Sequence, residues 1–191
     1  MSTASLTSLE SALGQSNADG GISVDSLGGP KMCGDIDIRV TSDGTWHYLG
    51  SPILRKPLVK LFASVLRREE NGEFWLVTPA EVCRINVDDA PFTAVEMMVE
   101  GVGKHQRLIF RTNLDETVAA GPDHMIRVQI DEQTAEPRPY LQIRDGLEAL
   151  IVRAVFYELV EIGEERRRNG KSLLGVWSDG IFCEIGALEN G

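Results

Sequence analysis

Ile36, Ile38 and Val40 alternate with Asp35, Asp37 and Arg39, a period of two that predicts a half-buried strand over 35–40. Ser42-Asp43-Gly44 turns the chain, and in the returning strand Trp46 and Tyr48 share one face while His47 takes the other. The period then lengthens. Leu58, Leu61, Phe62, Val65 and Leu66 recur at helical spacing after Pro57, with Asn71-Gly72 as the stop, so the spacing predicts a helix with one buried face. Phe74–Val77 reads as a strand, Thr78-Pro79-Ala80-Glu81 as a capping box opening one helical turn, and Cys83, Ile85 and Val87 as the strand that resumes.

Two strands follow, Phe92–Glu100 and Arg107–Thr112, joined by a turn over 101–106. The earlier order then recurs: a strand at Met125–Ile130, a return through Tyr140–Arg144, and a capping box at Asp145-Gly146-Leu147-Glu148. From Ala149 to Ile162 the chain is apolar almost all round, which predicts an enclosed helix with a charged tail at 164–168. A hairpin of Leu173–Trp177 and Ile181–Ala187 about Ser178-Asp179-Gly180 closes the chain. Ile38-Arg39-Val40 matches Ile126-Arg127-Val128, Tyr48-Leu49 matches Tyr140-Leu141, and Cys83 matches Cys183, so the chain reads as one module written twice. Tyr140 to Cys183 exceeds Tyr48 to Cys83 by eight positions, which fits about two further helical turns in the second copy.

These elements predict an α+β protein of two related halves, each a curved antiparallel sheet packed on one long helix. Leu6, Leu9 and Leu13 add a short N-terminal helix, tethered by a segment rich in Gly, Ser, Asn and Asp. The expected division is a helix and linker over 1–30, a first repeat over 31–90, connecting strands over 91–124 and a second repeat over 125–191.

Composition narrows the function classes. A length of 191 residues and a hydrophobic fraction of 42% are ordinary for a globular protein, and the net charge of −10 disfavours nonspecific binding to nucleic acid or to an anionic membrane. With no apolar run long enough to span a bilayer and no secretory leader pattern, the expected location is cytoplasmic. Cys33, Cys83 and Cys183 are odd in number and widely spaced, which predicts buried free thiols rather than a disulfide framework.

No catalytic signature stands out. Gly101-Val102-Gly103-Lys104-His105 lacks the first glycine and the Ser or Thr of a phosphate loop and lies between two strands, so it reads as a turn. His47, His105 and His124 have no metal-binding spacing and no placed nucleophile, and neither a metal nor a cofactor is expected. Arg166-Arg167-Arg168 reads as the solvated end of the second helix, where cations suit the macrodipole.

One constellation follows from the repeat. Arg39 and Arg127 occupy matched positions beside strands that carry Trp46, Tyr48 and Tyr140, so two facing copies would line a cleft with cations and aromatic walls. An anionic small molecule or a protein segment would suit it. The competing arrangement pairs the arginines with nearby carboxylates and sends the aromatics to the core.

The segments Cys33-Gly-Asp-Ile-Asp-Ile-Arg39, Asp43-Gly-Thr-Trp-His-Tyr48, Ser51-Pro-Ile53, Phe74-Trp-Leu-Val-Thr-Pro79 and Gly175-Val-Trp-Ser-Asp-Gly180, in this order, resemble the domain of unknown function 1285 family of uncharacterised proteobacterial proteins. The resemblance implies a two-part α+β protein with repeated motifs and a role in signal transduction, and it supplies no catalytic residues. The expected function is a noncatalytic ligand- or protein-binding module. The alternative is a small hydrolase-like enzyme whose site assembles residues distant in sequence. Oligomeric state is not legible in the sequence.

Overall fold

The computed structural model describes residues 31–188, so the expected N-terminal helix lies outside the described residues. The chain forms two compact units that meet in sequence between Asp88 and Asp89.

In the first unit the strands are β1 (Lys31–Val40), β2 (Trp46–Tyr48), β3 (Ser51–Pro52), β4 (Leu66–Arg68), β5 (Phe74–Val77) and β6 (Glu81–Val87), with helix α1 (Lys56–Ser64) between β3 and β4. They form one sheet in the order β3-β2-β1-β6-β5-β4. The pair β1–β6 is parallel, which corrects the expectation of purely antiparallel sheets. Ile38, Val40, Trp46, Leu66, Leu76 and Cys83 are buried, as is Phe62 of α1, whose ring stacks on Trp46 at 6.3 Å between centroids.

The helix is shorter than its apolar spacing suggests. Leu66 is fully buried, as a helix would also have left it, but as the strand partner of Leu76. Asn71-Gly72 serves as a hairpin turn rather than a helix stop: Asn71 Oδ1 accepts the Glu73 amide at 3.0 Å, and Gly72 takes φ +87°. Thr78–Glu81 is likewise a turn. Thr78 Oγ1 accepts the Glu81 amide at 2.9 Å, as in a capping box, but the amide opens β6 instead of a helix.

Cys33 and Cys83 form a disulfide that joins the bulged start of β1 to β6, with Cα atoms 5.2 Å apart. This corrects the expectation of three free thiols. Sequence separation of 50 residues hid the pair, and the parallel pairing of β1 with β6 brings it together.

The second unit contains β7 (Phe92–Glu100), β8 (Arg107–Thr112), β9 (Thr117–Ala119), β10 (Ile126–Ile130), β11 (Pro137–Arg144), β12 (Leu147–Ile151), α2 (Arg153–Glu161), β13 (Glu164–Arg168), β14 (Lys171–Ser178) and β15 (Ile181–Leu188). Six strands make a mixed sheet in the order β10-β11-β12-β7-β8-β9, and the last three make a separate antiparallel sheet. β15 runs beside β10, and the buried Cys183 lies at the Ile126 backbone. Burial pushes its thiol pKa up, against a smaller pull from that backbone hydrogen bond.

Asp145-Gly146 is a hairpin turn, with Gly146 at φ +67°, and Leu147, Ala149 and Ile151 alternate into the core as a strand. The enclosed helix is therefore a nine-residue helix that buries Val155, Phe156 and Leu159 and leaves Tyr157 57% exposed. Residues 164–168 are a strand, turned by Asn169-Gly170 at φ +52° and +78°.

The duplication is architectural. From β1 to β6 and from β10 to β15 the order is three strands, a helix and three strands. Both helices have nine residues, so the longer second copy grows in its strands: β11 has eight residues where β2 has three, and β14 eight where β5 has four. No helix among the described residues is long and apolar enough to cross a membrane.

Candidate functional site

Strand register decides which of the expected residues meet. Arg39 stands opposite His47, whereas Trp46 stands opposite Val40 and Tyr48 opposite Ile38. Directly opposed residues share a face, so Arg39 lies on the other side of the sheet from Trp46 and Tyr48. Trp46 is in the core, 2% exposed, and Tyr48 is half-buried. The first three members of the expected set do not form one wall.

In the second unit register does the opposite. Arg127 stands opposite Tyr140, and its guanidinium lies 4.2 Å from the ring centroid. Pairing thus matches Tyr140 with His47, one position away from the Tyr48 match that the sequence invites.

Both arginines have carboxylate partners. Arg39 donates Nε and Nη2 to Asp88 at 2.8 and 2.9 Å, and Arg127 donates the same pair of nitrogens to Glu148 at 2.5 and 2.6 Å. The carboxylates hold both guanidinium groups above their ordinary pKa, through hydrogen bonds in the first place. An anion competing for either must displace a bidentate partner.

From Tyr140 the network runs on to an open groove. Tyr140 Oη donates to Asp89 Oδ1 at 2.7 Å, and Arg138 Nη2 donates to Asp89 Oδ2 at 2.6 Å. Burial, then the Asp89 carboxylate, pushes the Tyr140 phenol pKa up. Asp89 itself is only 18% exposed, so it is a fixed anchor for Arg138.

The groove has a volume of about 470 Å³ and lies between the β10–β11 turn and the start of α2. The turn is built by Asp131, whose Oδ1 accepts the amides of Gln133 and Thr134 at 2.9 Å each while Ala135 takes φ +57°. Those backbone bonds lower the Asp131 pKa. Pro137, Pro139, Ile151 and Phe156 give the groove apolar walls, and Arg153 and Tyr157, one helical turn apart, stand at its rim. Arg153 Nη2 donates to Glu136 at 2.8 Å, with the two side chains 66% and 58% exposed. A pair so exposed is held weakly and can open.

This groove is not legible as a site in the sequence. Its residues lie in a turn, a strand and a helix whose boundaries the apolar pattern misplaces.

Other candidates resolve into structure. Gly103–His105 is a 3₁₀ turn between β7 and β8, as its composition predicts, and Lys104 Nζ lies 5.4 Å from the Trp177 ring centroid. His124 Nδ1 is 3.1 Å from the Gln142 carbonyl oxygen. Arg166, expected at a helix end, lies in a strand with its guanidinium 5.0 Å from the Trp177 centroid and 4.9 Å from that of Phe182. Among the described residues no group of three or more His, Cys, Asp or Glu is placed to hold a metal ion.

Comparison with known proteins agrees with the two-unit division. Residues 26–90 match the N-terminal domain of unknown function DUF1285, and residues 91–185 match the C-terminal domain of the protein of unknown function DUF1285. A crystal structure of a DUF1285 family protein from Silicibacter pomeroyi DSS-3 is 43% identical, with 98% of this chain and 97% of that chain covered and a TM-score of 0.81. Another, from Shewanella baltica OS155, is 28% identical over 66% of this chain and 91% of that chain, with a TM-score of 0.53. Comparison with curated proteins gives no match. With both domain models matched in order along one chain and a full-length relative of the same fold, the chain belongs to the DUF1285 family.

Proposed function

We propose that the chain is a noncatalytic binding module and that its second unit carries the site, in the groove between the β10–β11 turn and α2. The observation that carries this reading is the contrast between two arginines in that groove. Arg138 is fixed by Asp89, which also holds Tyr140, and has Asp131 at 3.5 Å, whereas Arg153 is ion-paired, among the described residues, only to the exposed Glu136 at the rim. A carboxylate entering from solvent can replace Glu136 on Arg153 at small cost, because an exposed pair contributes about 0–1 kcal/mol.

The apolar walls then set the rest of the ligand. Pro137, Pro139, Ile151 and Phe156 favour an apolar or aromatic group beside the carboxylate, and Tyr157 offers a ring at the rim. The ligand class is an aromatic or aliphatic carboxylate, as found at the C-terminal residue of a peptide. Tyr140, with the Arg127 guanidinium over its ring, acts behind the groove by holding Asp89 and hence Arg138 in place. Such recognition suits a partner-sensing step in signal transduction.

The test is thermal-shift titration with N-acetylphenylalanine and with its uncharged amide. A saturable rise with the acid, absent for the amide and lost in Arg153→Ala, supports the site. An equal response to both compounds, or none, removes it.

A further inference from the structure

Strand β13 offers an unpaired edge with an antisymmetric charge order. In the three-stranded sheet it pairs with β14 alone among the described residues, and all five of its residues, Glu164-Glu165-Arg166-Arg167-Arg168, are exposed. Open edges usually carry charge to prevent pairing. Charge of one sign would do that against a second copy in either orientation. Here the first two residues are acidic and the last two basic, centred on Arg166.

We infer that β13 is an interface for a second copy of this chain, joined antiparallel about a twofold axis at Arg166 to make a continuous six-stranded sheet. In that register Glu164 faces Arg168 of the other copy and Glu165 faces Arg167, each twice by symmetry. A parallel arrangement in register would set each of the five residues against its own kind. The edge therefore selects one orientation.

The single like-charge pair, Arg166 with Arg166, lies on the axis. Its repulsion is relieved within each sheet, because the guanidinium is drawn over the Trp177 and Phe182 rings at 5.0 and 4.9 Å. Gly175 makes room for this arrangement: a Cβ there would come within 2.4 Å of the Phe182 ring. Glu164 lies on the same face, where its Oε2 accepts the Trp177 indole N–H at 3.2 Å, and Arg168 meets Glu184 at 3.2 Å. On the opposite face Arg167 has no ion-pair partner among the described residues, and Glu165 of a second copy would supply one. A five-residue edge buries little area, so the association is weak, concentration-dependent and sensitive to salt.

Sedimentation velocity of the full chain over a concentration series tests this. Expected is a monomer–dimer equilibrium that weakens with added salt, roughly tenfold weaker dimerisation in Arg167→Glu, and recovery in the swap Glu165→Arg/Arg167→Glu, which restores opposite charges across the axis. Ser172 Oγ donates to Glu165, so Arg168→Glu and the swap Glu164→Arg/Arg168→Glu provide a second, independent pair, with folding checked by circular dichroism. A chain that stays monomeric at all concentrations overturns the proposal. So does a dimer indifferent to the single reversals, or one that neither swap restores.

Discussion

Tyr140 Oη donates to Asp89 Oδ1 at 2.7 Å, so a buried ring in β11 is joined to the residue that begins the second unit. The same carboxylate accepts from Arg138 at 2.6 Å, which makes Asp89 the point where the core meets the groove. Removing it strands two donors rather than one. Asp89→Ala should destabilise the protein by about 1–3 kcal/mol in urea unfolding, more than Tyr140→Phe, which leaves the Arg138 bond in place.

Burial of Tyr140, and after it the same bond, carry a pH signature. With the Tyr140 phenol pKa raised in the folded protein, its contribution to stability is fully present below the ordinary tyrosine value and is lost as pH rises through the folded value. Unfolding midpoints measured in the alkaline range should therefore fall as pH rises above about 10. The fall should be shallower in Tyr140→Phe.

Acid acts on the first unit through Arg84. Its Nε donates to Asp35 on β1 and its Nη1 to Glu73 in the β4–β5 turn, both at 2.6 Å, so one side chain ties three parts of the sheet. Hydrogen bonds to Arg84 lower both carboxylate pKa values. Depressed carboxylates stabilise the fold above their unfolded pKa values, and that contribution is lost as pH falls through the folded ones. Arg84→Gln should flatten the acid limb of a stability–pH profile, and an unchanged limb would remove Arg84 from the account.

The disulfide gives a prediction in thiol counting. Denatured, unreduced protein should present one reactive thiol, from Cys183, and three after reduction. Closing a loop of 50 residues is worth about 4 kcal/mol at most in the chain-entropy model, so reduction should lower unfolding stability by about 2–4 kcal/mol. Cys33→Ser should match the reduced protein.

Alternation at Ile36–Val40 makes that strand legible in the sequence, because Ile36, Ile38 and Val40 are buried while Asp35, Asp37 and Arg39 are exposed; Phe92–Glu100 is legible by its apolar, β-branched run, although Phe92, Thr93 and Ala94 are buried in succession. The helices are misjudged where apolar residues fit both periods. Leu66 and Ala149 satisfy a helical stripe, yet strand pairing claims them, and tertiary hydrogen bonds outweigh local spacing. Asp145-Gly146 and Asn169-Gly170 hold the clue: left-handed backbone at Gly146 and at both Asn169 and Gly170 builds hairpins, and each one converts a predicted stretch of helix into strand.

The candidate site was less legible than the fold. Register places Arg39 opposite His47 rather than beside Trp46 and Tyr48, a distinction that depends on one residue of pairing and so escapes motif matching. Arg127 and Tyr140 do meet, but behind the groove. Arg153 and Tyr157 carry no motif, and they gain meaning only when the Asp131 turn sets Glu136 against the start of α2.

The most direct measurement is a backbone amide chemical-shift titration of the whole chain with N-acetylphenylalanine. The account predicts saturable shifts confined to 131–139 and 150–157, with affinity reduced roughly tenfold in Arg153→Ala and unchanged in Arg39→Ala. Shifts scattered over both units, or a binding curve that Arg153→Ala leaves untouched, would contradict a ligand site in the groove of the second unit.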